Sequence, residues 1–381
     1  MTRTYLIAAA LLAVAAAGSA SAQAIKFTVD CSKGQTIGAA LQRGDARKPL
    51  DVLVRGTCNE YVMIARDDVT LHGEGAEFSV VNGPGSAAPA IMIQGQRTFL
   101  DGLTVTGGAG GVIVSGPFVA SLSNLVVRNP ATGNAVVVRG GGDASITSCT
   151  MMKAVNGLGV ARGGSARVLG NSEMRENSAS GIRADLNSAV NVGGSTKILD
   201  NGAHGIQLET GSTAIVSNSE IARNANGVAV TASRASIGAG NQIHDNREHG
   251  VLAQVDATVT VTDNTIVNNN YNGVFGYSGS TLELRGNEIA FNGQSGVYCR
   301  AFCKMQIAGA SIHDNAHHAV LVMFGSRSIF QPPMTTTGGN GWEDLWCGDS
   351  ETSVDGVDGL SWDGADFFDG SVSPLCTGFN D

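Results

Sequence analysis

NREHGVLAQVDATVTVTDNTIVNN, residues 246–269, is followed at once by NNYNGVFGYSGSTLELRGNEIAFN, residues 269–292. The two stretches share few identities but follow one scheme. Each opens on Asn, reaches a Gly four residues later, continues with alternating apolar residues, turns, alternates again, and closes on a short run around Ile266 or Ile289. The same frame extends in both directions. Gly157, Gly181, Gly205, Gly227, Gly250, Gly273, Gly296 and Ala319 mark its start, with steps of 24, 24, 22, 23, 23, 23 and 23 residues. A fixed period near 23 is the signature of a solenoid.

After each marker, two apolar residues flank a variable one, as in Ile206-Gln207-Leu208 and Val228-Ala229-Val230. Alternation over so few residues describes a short strand with every second side chain inward. A second run follows (Ala214–Val216, Thr258–Val261, Leu282–Leu284), and a third is centred on Ile221, Ile243, Ile266, Ile289 and Ile312. Three short strands per 23 residues leave no room for a helix, so the expected fold is an all-β parallel β-helix. One coil can neither bury its apolar face nor satisfy its own backbone, so coils must stack at about 4.8 Å. Equivalent residues then form columns. Asn177, Asn201, Asn224, Asn246, Asn269, Asn292 and Asn315 fall in one; Asn218, Asn241, Asn264 and Asn287 are expected in a second, which the spacing from Asn171 extends back to Cys149. Stacked amides can bond along such columns and cap neighbouring backbone groups.

The entry segment QTIGAALQRGDARKPLDVLVRGTCNEYVMIARDDVTLHGEG (residues 35–75), together with these coils, resembles the right-handed parallel β-helix proteins of the pectin-lyase-like superfamily. The resemblance implies an N-terminal cap over residues 23–50, with an amphipathic turn at Ile37–Leu41 covering the open end, and a β-helix over 51–330. It is weak for activity, because this fold hosts lyases, hydrolases, epimerases and non-enzymes.

Residues 1–22 read as a signal peptide: Arg3, an apolar run from Leu6 to Ala17, and the small-residue exit Ala20-Ser21-Ala22. The expected location is therefore periplasmic or extracellular. Later apolar runs are too short to span a bilayer. The last 51 residues, 331–381, hold ten acids, no basic residue and all three Trp, and are expected to cap the far end. The other 23 acids face 24 basic residues with no basic stripe, which excludes a nucleic-acid partner. The pairs Asp355-Gly356, Asp358-Gly359 and Asp363-Gly364 raise the question of calcium, but they match neither an EF-hand loop nor a glycine-rich calcium repeat. No cofactor is expected, with calcium at these acidic pairs as the alternative, and the chain is expected to be a monomer. Seven cysteines in an exported chain suggest Cys31–Cys58, Cys299–Cys303 and Cys347–Cys376 disulfides, leaving Cys149 as a buried, inert thiol.

On the marker-initiated strands, the second and fourth residues after Gly should face outward. They include Arg183, Asp185, Gln207 and Glu209, then Phe275, Tyr277, Tyr298 and Arg300. Aromatic faces beside Arg and carboxylates suit sugars, so Arg183, Asp185, Glu209, Phe275, Tyr277 and Tyr298 are candidate substrate-binding residues and a polysaccharide, in particular an acidic one, is the expected partner. An ordinary solvated β-surface is the competing explanation. "AHGI" at His204 and "EHGV" at His249 resemble the histidine motif of polygalacturonases, but that family's acids are missing. The arginine and acid sets of pectate lyases and the "DPHD" motif of mannuronan epimerases are missing too. A lyase or epimerase needs a base, a carboxylate-neutralising cation and an acid. Glu248, His249, Tyr271 and Arg300 could fill those roles and are the candidate catalytic residues; the alternative is a non-catalytic surface, scaffold or glycan-binding protein. His313, His317 and His318 offer a metal-binding alternative of the kind a copper-delivering β-helix would need, although they lack a Met or Cys cluster around them.

Overall fold

The computed structural model describes residues 23–85, 87–348, 351–356 and 360–362. In the coil that opens at Asn246, the three strands are Val251–Gln254, Thr258–Thr262 and Thr265–Val267. Each pairs in parallel with its counterpart one coil on, Val251 with Val274, Thr258 with Thr281 and Thr265 with Glu288, so all three registers advance by the period read in the sequence. The chain is a parallel β-solenoid. Its third sheet, formed by the marker-initiated strands, has 13 members running from Val62–Ile64 to Leu345–Cys347. Coils therefore exist at both ends where the Gly marker is absent.

Inward residues stack into a continuous column of Val, Ile and Leu. Val251, Ala253, Val259, Val261 and Ile266 of one coil are all buried. The marker Gly has a steric cause. A Cβ at Gly250 would lie 2.6 Å from the Gly273 carbonyl oxygen and from Ile266 Cγ2, and the same clash recurs at Gly205, Gly227, Gly273 and Gly296. The turn brings backbone so close to the next coil that a methyl group does not fit.

The first Asn column forms as expected. In each step the side-chain amide donates to the next Oδ1, which also accepts a backbone N–H: Asn246 Nδ2 and N reach Asn269 Oδ1 at 2.9 and 3.2 Å. The ladder runs on to Asn340. The second column needs a correction. Asn241, Asn264 and Asn287 form it, but the residue before them is Ser219, whose N–H donates to Asn241 Oδ1 at 3.1 Å. Asn218 is one residue off and takes a left-handed turn conformation (φ 46°), as does Asn171 (φ 58°). Cys149 stacks on Ser172, not on Asn171, with the Cys149 N–H donating to Ser172 Oγ at 3.2 Å.

Cys149 is nonetheless a buried free thiol, and burial pushes its pKa up to about 11. The Cys31–Cys58 and Cys299–Cys303 disulfides are present. Cys347 is also disulfide-bonded, and its expected partner Cys376 lies outside the described residues. At the start of the chain, Ile25–Asp30 pairs with the strand beginning at Leu50. The helix Ile37–Leu41 is capped by Thr36 Oγ1, and Glu60 accepts its first two N–H groups at 2.7 and 3.0 Å while Ile37, Ala40 and Leu41 enter the core. Past residue 330 the parallel pairing continues: Thr335–Gly338, Leu345–Cys347, Ser353–Asp355 and Leu360–Trp362 each add to a sheet. Among the described residues no helix is long and apolar enough to cross a membrane.

Candidate functional site

Parallel stacking turns the outward positions of the third sheet into columns. Leu252, Phe275, Tyr298, Leu321 and Trp346 share one, and Gln254, Tyr277, Arg300 and Met323 share the next. The rings meet. Phe275 stacks on Tyr298 at 5.0 Å between centroids, His249 lies 4.8 Å from Phe275, and Tyr271 meets His249 edge-on at 5.6 Å. Tyr277 is 6.1 Å from Phe275. Tyr298 Oη donates to Met323 Sδ at 3.4 Å, and burial raises the Tyr298 pKa. Offset and edge-to-face contacts at these spacings are favourable. They form a ring strip crossing coils at about 4.8 Å per step.

Along one margin of this strip runs a polar column, Ser180, His204, Asn226, His249, Asn272, Ser295 and His318, one residue before each marker from Gly181 to Ala319. Asn226 shows how it is wired. Its Oδ1 accepts the His249 N–H at 3.0 Å, while its Nδ2 donates to Glu248 at 2.5 Å and lies 3.3 Å from His204 Nδ1. One coil on, Asn272 repeats the pattern, accepting the Ser295 N–H on Oδ1 and donating its own backbone N–H to His249 Nδ1 at 3.2 Å. Burial lowers the pKa of His249 to about 4, although the Glu248 charge opposes it. Burial lowers His204 and His318 as well.

The expected catalytic residues are only partly assembled. Glu248, His249 and Tyr271 adjoin, with the Tyr271 N–H donating to the Glu248 carbonyl at 2.9 Å. Arg300 does not join them. It occupies the strand position equivalent to Gln254, five residues along from His249 and two coils on, a separation of roughly 19 Å from backbone spacings. Its guanidinium sits over the Phe324 ring at 4.9 Å and interacts with the Tyr298 hydroxyl of the strip. Counting coils gave the separation along the solenoid axis but not along the strand. The expected substrate-binding residues split into two groups. Phe275, Tyr277 and Tyr298 lie in the strip. Arg183, Asp185 and Glu209 form an ion-paired knot several coils earlier, with Arg183 2.8 Å from Glu209 and 3.5 Å from Asp185, and Gln207 donating to Glu209 at 2.9 Å.

A family model described as "Periplasmic copper-binding protein (NosD)" matches residues 127–346, the coils that carry these columns. The chain belongs to the NosD family. No curated protein matches it. Among solved structures it is similar to the catalytic unit of a thermostable GH87 α-1,3-glucanase from Streptomyces thermodiastaticus strain HF3-3, at 15% identity and a TM-score of 0.55 over 91% of this chain and 71% of that one. It is also similar to the periplasmic alginate epimerase AlgG, at 14% identity and 0.48 over 90% and 85%. For pectate lyase Pel9A the values are 12% and 0.46 over 69% and 76%. At these identities the likeness is one of fold, that of the pectin-lyase-like β-helices implied by the entry segment.

Sequence reasoning left Trp342 and Trp346 to a cap. Leu345-Trp346-Cys347 is in fact the third-sheet strand of the last such coil, and the apolar–variable–apolar pattern was the available signal, displaced by a step of 25 residues from Val320 to Leu345.

Proposed function

We propose that this NosD-family protein is an exported, periplasmic glycan-binding β-helix that holds a polysaccharide on the outward face of its third sheet. The observation that carries this reading is the ring strip of Tyr271, His249, Phe275 and Tyr298, with contacts of 5.6, 4.8 and 5.0 Å. Sugar C–H faces stack on such rings, and Gln254, Glu248 and Gln294 lie beside the strip to hydrogen-bond hydroxyls. That β-helices of similar fold act on alginate, α-1,3-glucan and pectate accords with a polysaccharide ligand.

Binding is favoured over turnover for two reasons. With Nδ1 accepting the Asn272 N–H, the neutral His249 ring carries its proton on Nε2 and has no second lone pair to act as a base. Arg300, the cation a uronate eliminase or epimerase would need, is engaged by Tyr298 and Phe324 rather than set beside His249. Because Arg183 is already shared by Asp185 and Glu209, the ion-paired knot offers little excess positive charge to a polyuronate.

The NosD family is named for copper binding, but the described residues do not fit a copper set. Among them the only convergence of three His, Cys, Asp or Glu donors is Cys31, Cys58 and Glu60, and both sulfurs are spent in a disulfide. The three C-terminal histidines diverge: His313 Nδ1 is 2.8 Å from Asp314, His317 stacks on Trp342, and His318 Nδ1 bonds the Glu343 carbonyl.

Glycan-array binding, run with an assay for new unsaturated sugar ends, tests the proposal. Retention of a glycan without new ends is the expected result. Release of unsaturated ends would overturn the non-catalytic part, and no binding to any glycan would overturn the whole.

A further inference from the structure

The aromatic column ends in a cavity rather than on open sheet. Trp346, in register with Leu321, and Trp342, on the turn before it, line a space of about 480 Å³ together with His318, Leu321, Met323 and Glu343. That is within the range of small-ligand sites. Its walls are braced. His317 covers one face of Trp342 at 4.2 Å and 7° between planes, and His318 packs edge-on against Trp342 at 5.2 Å and stacks on Trp346 at 5.6 Å.

The charge pattern is equally specific. His318 Nδ1–H donates to the Glu343 carbonyl at 2.9 Å, and the Glu343 carboxylate lies 3.5 Å from the same nitrogen. Burial holds this imidazole toward its neutral form. The lining thus combines two indoles, a thioether and an isobutyl group with one carboxylate and no Lys or Arg. Arg300 pairs in register with Met323 but is drawn over Phe324. A metal would find too few donors, and a bare anion would meet Glu343. A cation with an apolar periphery matches every wall, because the ring quadrupoles and the carboxylate attract its charge while its methyl groups replace water at apolar surface.

We propose that this cavity, which adjoins the ring strip at Tyr298 and Met323, is a binding site for a quaternary ammonium group of the choline type, an assignment that does not rest on the glycan reading. The shared chemistry could come from a free small molecule or from a phosphocholine lipid headgroup.

Calorimetry and tryptophan fluorescence with choline, tetramethylammonium and the neutral isostere 3,3-dimethylbutanol test it on the full chain. Choline should bind at millimolar concentrations or below and about tenfold more tightly than the isostere, the charge supplying the difference. Glu343→Gln should weaken choline about tenfold, Arg300→Gln should leave it equal or tighter, and Trp346→Leu, which keeps apolar volume but lacks the π face, should abolish it while the circular dichroism stays that of the parent. Co-sedimentation with phosphatidylcholine but not phosphatidylglycerol vesicles would identify the headgroup as the source; choline binding without co-sedimentation would identify a free molecule. No choline binding, equal affinity for the isostere, or full choline affinity in Glu343→Gln would each overturn the proposal.

Discussion

His249 Nδ1 accepts a hydrogen bond from the backbone N–H of Asn272, one coil further on, at 3.2 Å. Protonation would place a charge in a largely buried position, which is why its pKa falls to about 4 although the Glu248 charge opposes the shift. In the unfolded chain the ring recovers its ordinary value near 6.5, so between these two values the unfolded state binds more protons. Stability contributed by the neutral ring is present above pH 6.5 or so and is lost as pH falls toward 4. Urea denaturation across this window should show a shallower pH dependence for His249→Gln than for the parent. An identical slope would contradict the buried, neutral assignment.

Asn269 sits mid-ladder, accepting from Asn246 on Oδ1 and donating to Asn292 Oδ1 and to the Ile243 and Val267 carbonyls. Asn269→Ala leaves several buried groups unpaired at once, each worth about 1–3 kcal/mol. A loss of roughly 3 kcal/mol or more is expected in chemical denaturation, against less than about 0.5 kcal/mol for the exposed Asn270→Ala.

On a glycan found by array, Phe275→Ala and Tyr298→Ala should each reduce affinity at least about fivefold, since each removes one stacking face worth about 1 kcal/mol. Arg183→Ala should change it less than twofold, because that guanidinium is spent on Asp185 and Glu209. Titration calorimetry of the three variants checks the order; an effect led by Arg183 would relocate the site to the ion-paired knot.

Cys149 is 2% exposed and its thiol is pushed up to about 11 by desolvation. The thiolate is the reactive form. Iodoacetamide should leave Cys149 unmodified in the native protein at pH 8 and alkylate it rapidly in denaturant, as peptide mass mapping would record. Native-state labelling would show that the coil around residue 149 opens.

The sequence by itself determined the coil. Backbone pairing demands that each turn repeat the one below it, and inward positions demand apolar residues at every second place, so Gly250, Ile266 and Asn269 announce their roles through period alone. It also carried the pairing of Cys31 with Cys58 and of Cys299 with Cys303, where short separations within or between adjacent coils leave few alternatives. What the tertiary structure decided are offsets that period cannot resolve. Asn218 and Ser219 are both plausible ladder members, and the choice falls to whichever residue is spared the left-handed turn. Arg300 shares a face with His249 but lies five residues along the strand from it, a distance that a count of coils does not contain. Trp346 joins the ring column and Trp342 walls its end because a 25-residue step still closes one coil in register. The proton on His249 is assigned by a neighbour one turn away. Each of these depends on where stacked chains put atoms sideways, and a repeat specifies the height of a rung more tightly than the position along it.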